Sequence, residues 1–138
     1  MKAVRILFPI VILLSLCIAV FFILRMHAGH SGGIPASTAD ERLVYLFTQG
    51  WKGEEIAAGE VIIPESTGVG YAGFAELQKA QDLPLSRFAG SKAMRYTYRL
   101  AQSGLYAELL CADGILIGAM CYDPTAGEMR TIRGERIP

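Results

Sequence analysis

The sequence predicts an α+β domain tethered to a membrane by one amino-terminal helix. Its elements are expected in the order α-β-α-β-β-β, with two helices packed on one face of a mainly antiparallel sheet. Three observations predict this. Residues 6–24 form nineteen consecutive positions without a charge. Two later segments repeat apolar residues at helical spacing. Residues 92–101 alternate apolar and polar side chains ahead of a hairpin signal, which is typical of antiparallel strands.

Residues 6–25 are predicted to span the membrane, because the apolar run would reach roughly 28 Å as a helix, close to the ~30 Å of a hydrocarbon core. Lys2 and Arg5 precede the run and only Arg25 follows it closely. The positive-inside rule therefore places residues 1–5 in the cytoplasm and the rest outside. A cleaved signal peptide is the main alternative, but its apolar region has only about 7 to 15 residues. We expect a single-pass protein of the cell membrane whose residues 6–25 contact the lipid bilayer.

Residues 26–37 contain several glycines and no hydrophobic period, which indicates a flexible linker. Residues 38–138 have the length of one small extracytoplasmic domain. Three of the 13 basic side chains flank the apolar run, so 10 basic and 13 acidic side chains lie beyond it, a net charge of −3. This mild acidity and the scattered arginines argue against nucleic acid as a partner.

The first helix of the domain is predicted over residues 39–49. Thr38 and Glu41 have the spacing of a capping box, and Gly50 supplies the stop. Trp51 follows the stop directly. We expect its ring to pack against the core at the end of the helix rather than to bind a ligand.

The next two elements are a short strand over residues 60–64 and a second amphipathic helix over residues 71–81. The strand is rich in β-branched residues, and Glu54 and Glu55 before it are expected in a polar loop. Apolar residues recur at helical spacing in the second segment until Pro84 forbids continuation.

The remaining residues predict a three-stranded antiparallel meander. Residues 92–101 form the first strand, and Asp113 and Gly114 are a strong two-residue turn signal between the apolar runs 107–112 and 115–121. Residues 128–132 either add a further strand or lie loosely, and the sequence leaves both open.

Two cysteines, Cys111 and Cys121, lie in the predicted hairpin. A two-residue turn at 113 and 114 places position 111 opposite 116 and position 106 opposite 121. The thiols would then lie about five residues apart, on the order of 16 Å, on opposite faces of the sheet. We therefore predict that both are free.

Two surfaces of this meander are candidate interaction sites. Leu110, Ile115 and Ile117, with Ala119, would form an apolar patch larger than a monomer usually leaves bare, so something is expected to cover it. On the first strand, Arg95 and Arg99 flank Thr97, an arrangement in which an anionic ligand or an acidic partner surface would dock. The alternative for that strand is an ordinary solvated face.

Candidate chemistry in the chain is weak. Residues 68–73 match G-x-G-x-x-G between a strand and a helix, but the acidic residue expected about 20 positions later is missing. His27 and His30 are the only histidines, both lie in the predicted linker, and a pair without a scaffold binds metal poorly. The predicted domain therefore contains no histidine that could act as a general base. We predict that the protein is not an enzyme and that it binds neither a cofactor nor a metal ion.

The ordered landmarks of the domain resemble a family of small single-span proteins of Gram-positive bacteria whose extracytoplasmic part is a domain of unknown function. The resemblance implies a membrane-tethered outer domain in a Gram-positive envelope, and it implies no activity and no site residues. It covers about residues 39–122. The landmarks are Glu41-Arg42, Gly50-Trp51, Val61-Ile62-Ile63-Pro64, Tyr71, Leu77-Gln78, Gln81, Leu85, Gly90, Arg95-Tyr96-Thr97-Tyr98, Asp113-Gly114 and Ile117-Gly118.

These observations lead to two expectations about function. The first is a non-catalytic protein-interaction module of the cell envelope, which engages a protein partner or a second copy of itself. The alternative is a small-ligand or envelope-polymer sensor, in which the turn at 68–73 and the tyrosine-bearing strand line a pocket.

Overall fold

The structure of the chain is a computed structural model that describes residues 32–65 and 69–135. The predicted cytoplasmic residues 1–5, the predicted spanning helix 6–25 and the first half of the predicted linker, residues 26–31, lie outside the described residues. Within the part of the chain that is described, no helix is long and apolar enough to cross a membrane.

The described residues form an α+β domain with two α-helices and one five-stranded antiparallel sheet. The predicted class and element order are confirmed, and a two-residue strand, β5, is added in the region that the sequence left open. Strand neighbours follow the chain order, β1-β2-β3-β4-β5. The elements are α1 (Ala39–Thr48), β1 (Gly53–Ile62), α2 (Val69–Ala80), a 3₁₀ turn (Leu85–Phe88), β2 (Lys92–Leu100), β3 (Tyr106–Ala112), β4 (Ile115–Tyr122) and β5 (Met129–Arg130).

Helix α1 begins and ends as its sequence predicts. The Thr38 side chain accepts a hydrogen bond from the Glu41 amide at 3.2 Å, and the Glu41 carboxylate accepts one from the Thr38 amide at 3.0 Å. Gly50 follows with a φ of +91°, which glycine adopts without strain. The Trp51 indole packs against the core and donates to the Ile132 carbonyl at 2.6 Å, so its predicted structural role is confirmed.

Strand β1 is longer than predicted. It starts at Gly53 and pairs with β2 over its whole length, with a bulge at Ile56, so the expectation that Glu54 and Glu55 lie in a loop is wrong. Most of its side chains are exposed, so it lacks the apolar alternation that marks a half-buried strand. Backbone pairing with β2 therefore decides its extent.

Each face of the sheet is packed by a different helix, completely or in part. On the first face, Tyr45 and Leu46 of α1 pack on a cluster that includes Tyr98, Leu109 and Leu116. The predicted placement of both helices on one face is wrong, because β3 and β4 are apolar on both faces and each face needs a cover. On the second face, Tyr71 and Phe74 of α2 and Phe88 of the 3₁₀ turn pack on Ile63, Leu85, Ala93, Leu110 and Ile117.

The β3–β4 hairpin has the predicted turn but an unpredicted bulge. Asp113 and Gly114 both have positive φ, +50° and +77°. Leu110 pairs with Gly118 whereas Cys111 pairs with Leu116, so β4 has one extra residue at this point.

The bulge changes which residues share a face of the sheet. Cys121 pairs with Ala107 and joins Cys111 in the first-face cluster, so the predicted opposite faces are wrong. Ala119 belongs to the same cluster, and not to the face of Leu110. Both thiols are free, as predicted.

The outer edge of β4 is paired by three different parts of the chain. The Ala36 amide donates to the Gly114 carbonyl at 3.0 Å, and the Leu116 amide donates to the Ile34 carbonyl at 2.8 Å. The compact domain therefore starts at Gly33, a few residues inside the predicted linker. At the other end of this edge, β5 pairs with the last two residues of β4.

Between these two segments, two glutamine side chains replace a strand: Gln78 of α2 and Gln81, which directly follows the helix. Gln78, which is fully buried, accepts from the Ala119 amide at 2.7 Å, and Gln81 donates to the Ala119 carbonyl at 2.8 Å. Gln81 also accepts from the Ile132 amide at 2.7 Å. A Cβ at Gly118 would lie 3.3 Å from the Leu110 side chain, a tight contact, and 3.6 Å from Gln78, an ordinary van der Waals distance.

Candidate functional site

Helix α2 and the 3₁₀ turn cover only part of the second sheet face. At the end of the sheet away from the β3–β4 turn, strands β2, β3 and β4 together carry seven side chains on this face, none of which is buried. We call this surface the open sheet face. It consists of Arg95, Thr97, Arg99, Tyr106, Glu108, Met120 and Tyr122.

The strand register brings these side chains together across β2, β3 and β4. Thr97 pairs with Glu108, which pairs with Met120. One residue pair further along the face, Arg99 lies opposite Tyr106 and Tyr106 lies opposite Tyr122. Paired residues point to the same side of a sheet, so each row presents three adjacent side chains.

The two tyrosines form the flat part of this surface. The Tyr106 and Tyr122 rings stack with centroids 5.9 Å apart and planes inclined by 25°. Partial burial raises the pKa of Tyr122, and Glu108 and Tyr106 raise it further. Both phenols are half-buried, so each presents an apolar ring together with a polar hydroxyl.

The two arginines of the open sheet face differ in whether they form an ion pair with another described residue. Arg99 forms an exposed ion pair with Glu54 at 2.9 Å. Arg95 is exposed and forms no ion pair with another described residue, although it lowers the pKa of Glu108. Burial has the larger effect on Glu108 and raises its pKa. Arg95 is therefore the cation on this face that remains available to an acidic partner.

Sequence reasoning found part of this surface. Arg95, Thr97 and Arg99 were predicted from the alternation of β2, and the structure places all three together. Tyr106 and Tyr122 were missed. Tyr122 lies just beyond the predicted strand, and the bulge in β4 sets its side. The signal in the sequence that could have found them is a tyrosine at the start of the first hairpin strand and another just after the end of the second.

The other predicted interaction residues lie in the domain's own packing. Leu110 is 7 % exposed and Ile117 is 0 % exposed, both within the cluster beneath α2. Ile115 is half-buried against the same cluster and bridges to Pro35. The chain itself therefore covers the apolar patch, and these side chains are not a bare surface.

A buried polar network lies on the first sheet face, and the sequence did not indicate it. Arg42 of α1 donates to the Tyr98 hydroxyl at 2.9 Å and to the Glu55 carboxylate at 3.0 Å. Its guanidinium carbon also lies 3.5 Å from the centre of the Tyr96 ring. The Tyr98 hydroxyl donates to Glu55 at 2.8 Å. These donors and acceptors satisfy one another, so the network ties α1 to β1 and β2.

A shallow cleft of about 340 Å³ lies beside this network, between residues 36–37 and the ends of β2 and β3. Tyr96 and Cys111 line it, together with the exposed pair of Lys92 and Glu60, whose charged atoms are 2.8 Å apart. Burial raises the pKa of the Cys111 thiol to about 11. The thiol is therefore protonated at neutral pH and a poor nucleophile.

Within residues 32–65 and 69–135, no three His, Cys, Asp or Glu side chains are grouped so that they could hold a metal ion. His27, His30 and the start of the glycine-rich turn lie outside the described residues. Comparison of the chain with protein-family models, with curated proteins and with solved structures finds no match.

Proposed function

We propose that this chain is a single-pass membrane protein whose extracytoplasmic domain is a non-catalytic protein-interaction module of the cell envelope. One observation carries the proposal: the open sheet face groups two stacked tyrosines, a methionine and two arginines without burying any of them. Tyrosine, methionine and arginine are enriched where proteins bind one another.

The chemistry of the open sheet face favours a partner with acidic side chains around an apolar centre. Arg95 is the arginine of this surface that forms no ion pair with another described residue, and the Tyr106–Tyr122 stack supplies rigid contact area at low cost in side-chain entropy. Arg99 already pairs with Glu54, so a second acidic group would have to compete for it. The other candidate partner is a second copy of this chain, and the experiment has to distinguish it from a different protein.

Site-specific photocrosslinking in intact membranes tests this proposal. A photoreactive phenylalanine analogue replaces Thr97 in the full chain, and a matched variant carries it at Lys79, an exposed position on α2. We expect one discrete adduct from position 97, its loss on adding Arg95→Glu, and no such adduct from position 79. Circular dichroism melting checks that each variant stays folded.

Three results would overturn the interaction proposal: no adduct from position 97, the same adduct from both positions, or an adduct that Arg95→Glu leaves unchanged. The mass of the adduct separates a different protein from a second copy of this chain.

The alternative function is binding of a small ligand or envelope polymer in the cleft of about 340 Å³ beside Tyr96. That volume falls at the lower end of the range for ligand pockets, about 300 to 1,000 Å³. A soluble fragment of the wall polymer would then raise the Tm of the full chain, and Lys92→Ala at the mouth would reduce the rise. No rise at any accessible concentration counts against this alternative.

A further inference from the structure

Helix α1 is apolar on its outward side as well as on its buried side. Tyr45 and Leu46 face the sheet, whereas Leu43, Val44 and Phe47 are 39 %, 62 % and 68 % exposed. Positions 43, 44 and 47 lie on one side of an α-helix, so the three side chains form a continuous patch. Adjoining exposed apolar side chains mark surfaces that contact a protein or a membrane, and Asp40 is the acidic side chain at the amino-terminal end of this patch.

The length of chain before the domain limits what can cover this patch. The apolar run ends at Leu24 and the compact domain begins at Gly33. The residues between them can span at most about 30 Å when fully extended. If residues 6–25 cross a bilayer, the domain stays within about one domain diameter of the lipid surface.

We propose that α1 lies on the bilayer surface, with Leu43, Val44 and Phe47 at the boundary between the headgroups and the acyl chains. The inference rests on the proposed function, because it requires the membrane anchor. Interfacial helices bind in this way, with the apolar face buried about 5 to 10 Å into the boundary between headgroups and acyl chains.

Charged side chains at the end of α1 fit the same arrangement. Arg133 is exposed and donates to Gln49 at the carboxyl end of the helix, at 3.0 Å. Lys52, also exposed, follows directly after the helix in the chain. Both would meet lipid phosphates, and Asp40 in the first turn would lie among the headgroups.

The arrangement has a consequence for the proposed function. Helix α1 packs on the first sheet face, and the open sheet face lies on the second. Docking α1 on lipid therefore turns Tyr106 and Tyr122 away from the membrane, toward a partner. A tether alone would leave the domain free to present either face.

Fluorescence quenching by brominated lipid tests the docking of α1. The full chain is reconstituted in vesicles of phosphatidylcholine and phosphatidylglycerol whose acyl chains carry bromine near the headgroups. Phe47→Trp is compared with Tyr122→Trp, which places the same probe on the opposite face, and the emission of Trp51 is subtracted. We expect the added emission of Phe47→Trp to fall about twofold or more, and that of Tyr122→Trp to stay unchanged.

Vesicle flotation in the same samples reports on the anchor separately. A chain that floats while the added tryptophan at 47 is unquenched overturns the docking of α1 and leaves the anchor standing. Quenching of both variants to the same degree also overturns it. A blue-shifted, unquenched emission at 47 that depends on protein concentration assigns the patch to a second copy. A chain that does not float overturns the proposed anchor itself.

Discussion

A single buried arginine ties the amino-terminal helix to the sheet. Arg42 is 5 % exposed, and its donors reach Tyr98, Glu55 and the carbonyls of Ala36 and Ser37 at distances from 2.9 to 3.4 Å. A buried guanidinium is tolerated only when its donors are satisfied. The side chain thereby holds α1, β1 and β2 in one arrangement.

Arg42→Ala is expected to lower the free energy of unfolding by about 2 to 4 kcal/mol, because Glu55 and Tyr98 lose a buried partner. The Glu55 side chain is 34 % exposed, so water compensates part of the loss. The matched control is Arg99→Ala, whose pair with Glu54 is exposed and is worth about 0 to 1 kcal/mol. Urea unfolding of the full chain in detergent micelles, followed by Trp51 fluorescence, measures both. Equal losses would contradict the structural role of Arg42.

Stability is expected to fall as the pH rises above 9. Burial raises the pKa of Cys111 from 9.0 to about 11, and the pKa values of Tyr45 and Tyr98 from 10.0 to about 12. At a pH between the unfolded-state and folded-state pKa of a group, the unfolded chain has lost a proton that the folded chain retains. The free energy of unfolding therefore falls as the pH rises through that range. The Cys111 contribution is fully present below pH 9 and lost by about pH 11, and it is on the order of 2 kcal/mol.

Thermal melting of the full chain between pH 7.5 and 11, followed by circular dichroism, measures this dependence. Cys111→Ala removes the thiol and should flatten the part of the curve that begins near its ordinary pKa, leaving the tyrosine part. A midpoint that stays constant over the whole range would contradict the burial of these groups.

At the scale of elements, the two edges of the sheet are protected in different ways. The β4 edge is paired by residues 34–36, by Gln78 of α2 and Gln81 just after it, and by β5. The β1 edge carries the charges of Glu54, Glu55 and Glu60 and a bulge at Ile56. Charges and bulges are devices that keep an edge strand from pairing with another chain.

Gln78→Ala is expected to lower the free energy of unfolding by about 1 to 3 kcal/mol, because the buried Ala119 amide loses its acceptor. The neighbouring Lys79→Ala, on the exposed side of α2, should change it by less than about 0.5 kcal/mol. Hydrogen exchange gives the specific readout: the Ala119 amide should lose protection in Gln78→Ala, while amides in β2 keep theirs. Unchanged protection at Ala119 would show that the glutamine does not replace a strand there.

At the scale of the whole molecule, the sheet has two unlike faces. The first is covered by α1 and carries the Arg42 network. The second is covered by α2 at one end and presents the open sheet face at the other. This asymmetry fits the proposed arrangement, in which one side docks on lipid while the other meets a partner.

The full chain is expected to sediment with membranes and to remain there after an alkaline carbonate wash, because residues 6–25 prefer hydrocarbon to water. Protease added outside intact protoplasts should cleave the domain and spare the amino terminus. A soluble form whose amino terminus lies beyond residue 25 would contradict the anchor and favour a cleaved signal peptide.

The sequence by itself determined the elements whose signals are local. The capping box of α1, the turn at Asp113 and Gly114 and the alternation of β2 involve residues within a few positions of one another, so chain geometry brings them together whatever the rest does. The same alternation placed Arg95, Thr97 and Arg99 on one side of β2, and thus part of the candidate site.

Only the tertiary structure decided the extent of β1, the face that each helix covers and the membership of the open sheet face. Arg42 and Tyr98 are 56 residues apart in the chain, and no local pattern marks their contact. The one-residue bulge of β4 reverses which side chains face the core, and it places Tyr122 beside Tyr106. Such features depend on packing and pairing between distant segments, which periodicity along the chain does not encode.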